Sequence, residues 1–161
     1  MQALPVLGRL GFPARMAHTY SVHLIAAHPV ARESYAFLMD RQPDLDVSGQ
    51  SRSVKEALKQ MQILLPDAIL LSMPTNAPSA ACSIRTVRNE HPNVPLIVVT
   101  ATTNTPTKTL LDAGATACMA RDQVPFDLLP LLRHLLGTSS SSPSPYTTRA
   151  FARPTDSATR L

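Results

Sequence analysis

Cysteine is almost missing from this chain. Cys82 and Cys118 are the only two in 161 residues, far apart and in apolar or helical surroundings. Two buried free thiols are expected rather than a disulfide, which suits a reducing compartment. Long apolar runs are missing too: the longest, at 68–71 and 95–99, are strand-sized and far below the roughly 20 residues of a membrane-spanning helix. A secretory signal is also lacking. The opening MQALPVLGRLGFPAR has no leading Lys or Arg, and Pro5, Arg9 and Pro13 interrupt its apolar residues. These absences exclude a helical membrane protein and a disulfide scaffold and leave a cytoplasmic protein as the expectation. Met16 offers an alternative start.

The net charge of +4 hints at nucleic acid until it is divided along the chain. Residues 22–136 carry ten Lys/Arg and ten Asp/Glu, so their charges cancel. The excess lies in the head (Arg9, Arg15) and the tail (Arg149, Arg153 and Arg160 against Asp156). The middle therefore lacks the basic surplus that tracking a phosphate backbone requires, and direct nucleic-acid binding is not expected. What remains is ordinary: 44% hydrophobic and 16% charged residues, the composition of a soluble domain with one core.

Apolar runs alternate with helix-like stretches, the pattern of a parallel sheet covered by helices on both faces. The strands fall at 21–26, 45–49, 68–71, 96–100 and 116–120. The first helix follows His28-Pro29 and runs to about Asp40, with Val30, Tyr35, Phe37, Leu38 and Met39 as its apolar positions. Ser53 with Glu56 three residues on reads as a capping box, opening a helix that ends near Ile63. After strand three comes a loop containing Pro74 and Pro78. Helix three covers 80–90, and helix four follows the turn 102–105 and stops at Gly114. Helix five spans 125–136, with Pro125 suited to its first turn, Gly137 to its stop, and Pro130 set to kink it or shift its start. The resulting organisation is a flexible leader (1–20), one domain (21–137) and a disordered Ser/Pro-rich basic tail (138–161). The tail is too short for a DNA-binding domain of about 60 residues with its own core.

Certain fragments stand in order along the chain: His28-Pro29 with Arg32-Glu33, Pro66-Asp67, Arg85, Arg88-Asn89-Glu90-His91-Pro92, Thr100-Ala101, Ala113-Gly114-Ala115, and Arg121-Asp122 with Pro125. Over residues 22–136 the chain resembles the receiver domains of two-component response regulators, in the subfamily with helix-turn-helix outputs. The resemblance implies a flavodoxin-like (βα)5 fold, a doubly wound parallel sheet of five strands in the order 2-1-3-4-5. It also implies a phosphorylation site: two carboxylates holding Mg²⁺ at the end of strand one, an acceptor Asp at the end of strand three, a Ser or Thr after strand four and a Lys after strand five. On this chain those positions carry Ala26 and Ala27, Ser72, Thr100 and Arg121.

Four of the five have changed. Methyl groups cannot ligate a hard cation, and a serine hydroxyl without a neighbouring base is a poor phosphoryl acceptor. Arg121 keeps a charge but substitutes a planar fork for a point charge. The pocket is therefore expected to be degenerate, with no catalysis and no cofactor. His18, His23 and His28 recur every five residues, a spacing that suits neither a helix face nor a strand face, so no metal site is expected there. Thr100 reads as a strand-end hydroxyl bonded to local backbone, and Cys118 as core.

By resemblance the partner is another protein (a kinase, a response regulator or an output protein) or a second copy, met through helix four, strand five and helix five, or through helices one and five. The function expected is a phosphorylation-independent pseudo-receiver acting as a regulatory interaction module in signal transduction or transcriptional control. The alternative is a ligand-sensing module whose altered pocket at the strand C-terminal ends binds a small metabolite or anion.

Overall fold

A computed structural model describes residues 19–73, 77–101 and 107–137. The expected leader before Thr19, the turn at 102–105, Pro74, His18 and the tail from Thr138 onward lie outside the described residues. The elements run β1 (Tyr20–Ala26), α1 (Pro29–Asp40), β2 (Leu45–Ser51), α2 (Val54–Ile63), β3 (Ala68–Ser72), α3 (Ala77–Glu90), β4 (Leu96–Thr100), α4 (Thr107–Ala113), β5 (Ala117–Ala120), a single 3-10 turn (Arg121–Gln123) and α5 (Val124–Leu136). All strand pairs are parallel, in the order β2-β1-β3-β4-β5. This is the doubly wound flavodoxin-like arrangement that the resemblance implied.

The central strands AILLS and LIVVT are buried along their whole length because helices cover both faces. Alternation divides their side chains between two cores. Val22, Leu24, Ala68, Leu70, Ile97 and Val99 meet Tyr35 and Met39 of α1 and Leu128, Leu131 and Leu132 of α5. On the other face, Ile25, Ile69, Leu71, Leu96, Val98 and Cys118 meet Met61 of α2, Ile84 of α3 and Leu110 of α4. At roughly 1.5–3 kcal/mol for each large aliphatic side chain buried, these two layers supply most of the driving force.

Local signals set the element ends. The Ser53 hydroxyl accepts the Glu56 backbone N–H at 3.2 Å, and Glu56 Oε1 accepts the Arg52 N–H at 3.0 Å, so the expected cap is present with its return bond one residue before the capping serine. Gly137 ends α5 in the left-handed region at φ 78°, as a C-terminal glycine should. α5 runs unbroken past Pro130 and starts at Val124, one residue earlier than the proline rule suggested.

Strand β2 is two residues longer than expected, because its pairing continues past a bulge. Val22 faces Val47 but His23 faces Gly49, which leaves Ser48 as the extra residue. His23 is the reason for the glycine: a Cβ on Gly49 would fall 2.7 Å from the imidazole Cε1. The thiols also differ from expectation. Cys118 is buried, and burial pushes its thiol up to about 12, whereas Cys82 is exposed on α3, so only one of the two is a core residue.

Candidate functional site

In a sheet of this topology ligands gather at the C-terminal ends of the strands, where the order reverses beside β1 and β3. Ala26 ends β1 and pairs directly with Ser72 at the end of β3. Ser72 pairs with Val99, and Thr100 follows at the end of β4, opposite Ala120. Ala26, Ser72 and Thr100 are therefore buried neighbours on three adjacent strands. Ala27 follows the strand and is exposed. Arg121 is placed differently. The turn after β5, closed by Gln123 Oε1 accepting the Ala120 N–H at 2.8 Å, leaves it exposed, where it lines a groove between α1 and α5.

The hydroxyls have modest partners. Ser72 Oγ lies 3.5 Å from the Tyr35 hydroxyl, its only hydrogen-bond partner among the described residues. No carboxylate or imidazole touches it, so nothing there would take its proton. Thr100 Oγ1 donates to the Met119 carbonyl at 3.4 Å. The backbone contact expected of Thr100 is thus present, and it crosses to the neighbouring strand.

Arg32, which in the sequence carries only the family resemblance, dominates the site. Arg32 on α1 donates through Nη1 to the Ala26 carbonyl at 2.6 Å and to the Ala27 carbonyl at 3.4 Å. A guanidinium sits on the oxygen atoms at the end of β1. Arg32 and Tyr35 are three apart on a helix and so share a face, the signal that would have placed both over the strand ends. A divalent cation does not fit these residues. It needs several oxygen ligands; the side chains at 26 and 27 are methyl groups, and a fixed cation already occupies the Ala26 carbonyl. Among the described residues no group of three His, Cys, Asp or Glu side chains is arranged to hold a metal.

Of the three histidines, His23 and His28 lie within the described residues. His23 is buried in β1, its Nε2 2.8 Å from Ser51 Oγ, and burial lowers its pKa below the usual 6.5 against a smaller opposing pull from Glu56. His28 is exposed, beside Arg121 on the groove lining. That groove holds about 580 Å³, with apolar walls from Val30, Ala31 and Leu38 of α1 and Val124 and Pro125 of α5. Around it large apolar side chains face solvent: Val30 is 65% exposed, Phe37 63% and Phe126 74%. The apolar positions of α1 are therefore split, with Tyr35 and Met39 in the core and Val30 and Phe37 outside it.

No family model matches the chain, and no curated protein is similar to it in sequence. Solved structures are similar in fold. A two-component response regulator of the LuxR family from Aurantimonas sp. SI85-9A1 superposes with a TM-score of 0.66 at 19% identity, over 86% of this chain and 99% of that one. The response regulator domain of Thermotoga maritima CheB gives 0.63 at 20% identity, over 76% and 99%. The isolated receiver domain of RcsB from Salmonella enterica serovar Typhimurium, in its apo form, gives 0.69 at 15% identity, over 86% and 99%. Strand order, helix placement and these superpositions together show that the chain has the fold of a response-regulator receiver domain.

Proposed function

We propose that this chain is a phosphorylation-independent receiver-like module that regulates signal transduction or transcription by docking another protein: a kinase, a response regulator, an output protein or a second copy. One observation carries the reading. The Arg32 guanidinium is bonded to the Ala26 and Ala27 carbonyls beside a serine that has no base, so the strand ends present a fixed cation and no anionic acceptor. Phosphoryl transfer to a carboxylate needs the reverse, an anionic oxygen nucleophile with a bound metal neutralising the growing charge. Regulation then rests on surfaces. The exposed Val30, Phe37 and Phe126 make the α1–α5 face the one that supports docking best, since a rim of large apolar side chains is the kind of surface that marks protein contacts.

Incubation with acetyl phosphate and Mg²⁺, followed by intact-mass spectrometry, tests the first half. An unchanged mass is expected, and an adduct removed by hydroxylamine would sink it. For the second half, Phe37→Asp and Phe126→Asp should release the partner retained by the wild-type chain on an affinity column while the circular dichroism stays native. Retention by both variants would move docking to another face.

A further inference from the structure

The α1–α5 groove carries His28 and Arg121 at one end and mainly apolar side chains along its length. Its volume of about 580 Å³ lies within the range of small-molecule sites, roughly 300–1,000 Å³. His28 precedes α1 and Arg121 follows β5, so both belong to the C-terminal edge of the sheet and to the same end of the groove. Phe37 and Leu38 lie further down α1, about 13 Å along the axis at 1.5 Å per residue. The walls between are Val30, Ala31, Val124 and Pro125, with the hydroxyl-bearing Ser34 and Tyr35 among them.

No residue lining the groove is acidic. Asp122 and Asp127 lie close in sequence but are not among the lining residues, and Arg121 has no hydrogen-bond or ion-pair acceptor among the described residues. An apolar trough closed by an unpaired guanidinium and an imidazole is complementary to a molecule with an apolar body and one anionic end. A hydrocarbon body loses its hydration against the walls, while a carboxylate meets Arg121 in a two-pronged hydrogen bond. A protein partner of ordinary size covers about 800 Å² of flatter surface and would not use this concavity alone.

We infer that the α1–α5 groove binds a small amphipathic carboxylate, its apolar body lying between Val30 and Leu38 and its carboxylate held by Arg121 beside His28. The groove adjoins the strand-end pocket, Tyr35 lining it while its hydroxyl reaches Ser72, and the inference does not depend on whether a protein docks on the same face.

The test is calorimetric titration of the full chain with decanoate, decanol and decylamine at matched ionic strength below their micellar concentrations. Decanoate should bind saturably, one per chain, about tenfold more tightly than decanol, and decylamine more weakly than either. Arg121→Gln should bring decanoate to the affinity of decanol and leave decanol unchanged. Ala31→Trp, which fills the trough, should abolish both, and Val30→Asp at an exposed position should weaken both, decanoate the more, even if the tryptophan variant fails to fold. Equal binding of decanoate and decanol to the wild-type chain, or a carboxylate preference that survives Arg121→Gln, would overturn the assignment. So would sedimentation showing a dimer that must dissociate before decanoate binds, because a second copy would then be the occupant.

Discussion

At the scale of single residues, His23 and Gly49 form a matched pair. The imidazole lies across the bulge of an edge strand and leaves room for nothing larger than hydrogen at position 49. Gly49→Ala is expected to destabilise by about 1–3 kcal/mol through overpacking. In the double variant with His23→Ala the penalty of the alanine should largely vanish, a coupling that urea unfolding of the four proteins would measure. The same histidine gives a pH dependence. Burial holds the folded imidazole below 6.5, so as pH falls beneath that value the unfolded chain takes up the proton first and the folded state loses stability. His23→Gln should flatten that acid slope. A slope unchanged by the substitution would assign it to other groups. Position 49 is legible in the sequence only as a glycine in a strand-like run. The reason for it arrives from a different strand.

At the scale of elements, two arginines fasten loops that the pattern of apolar residues leaves undetermined. Arg133 of α5 pairs with both carboxylate oxygens of Asp44, at 2.8 and 2.9 Å, and also reaches Gln42 Oε1 at 2.7 Å, tying the last helix to the α1–β2 connection. The Arg133 hydrogen bond holds the Asp44 carboxyl below its ordinary 3.8, so this contribution is present above that pH and is lost as acid protonates the folded carboxylate. Arg88 of α3 does more. It donates to the carbonyls of His91, Pro92 and Val94 and twice to that of Gly114, whose φ of 125° places it against the arginine stem. Arg133→Met should cost about 1–2 kcal/mol, and Arg88→Met more, since it strips partners from several half-buried carbonyls at once. Thermal unfolding of the two variants checks the order. The residues Arg88 to Pro92 carry the family resemblance in sequence, and the structure supplies the physical reason: the arginine closes the loop on which the others lie.

At the scale of the whole molecule, the charge at the strand ends is reversed from what a metal-dependent receiver needs. If Arg32 takes the place of a cation at the end of β1, as proposed, there is no stabilising divalent ion to lose. Its melting temperature should therefore be the same in Mg²⁺ and in EDTA at equal ionic strength. A rise in Mg²⁺ would mean that oxygen ligands converge there after all. The exposed apolar side chains of α1 and α5, Val30, Phe37 and Phe126, are the surface on which the proposed docking rests.

The sequence by itself determined the number, order and type of the elements, since strand-length aliphatic runs and helix caps are local properties of the chain. It also carries the residues on which the proposed loss of phosphorylation rests, Ala26, Ala27 and Ser72, since none of them has a carboxylate in any fold. Only the tertiary structure decided where Arg32 and Arg121 sit. A long side chain at an element end can reach several places, and its choice depends on which carbonyls and which helix a distant part of the chain brings within range. Arg32 turned to the end of β1, and Arg121 to the groove between the first helix and the last.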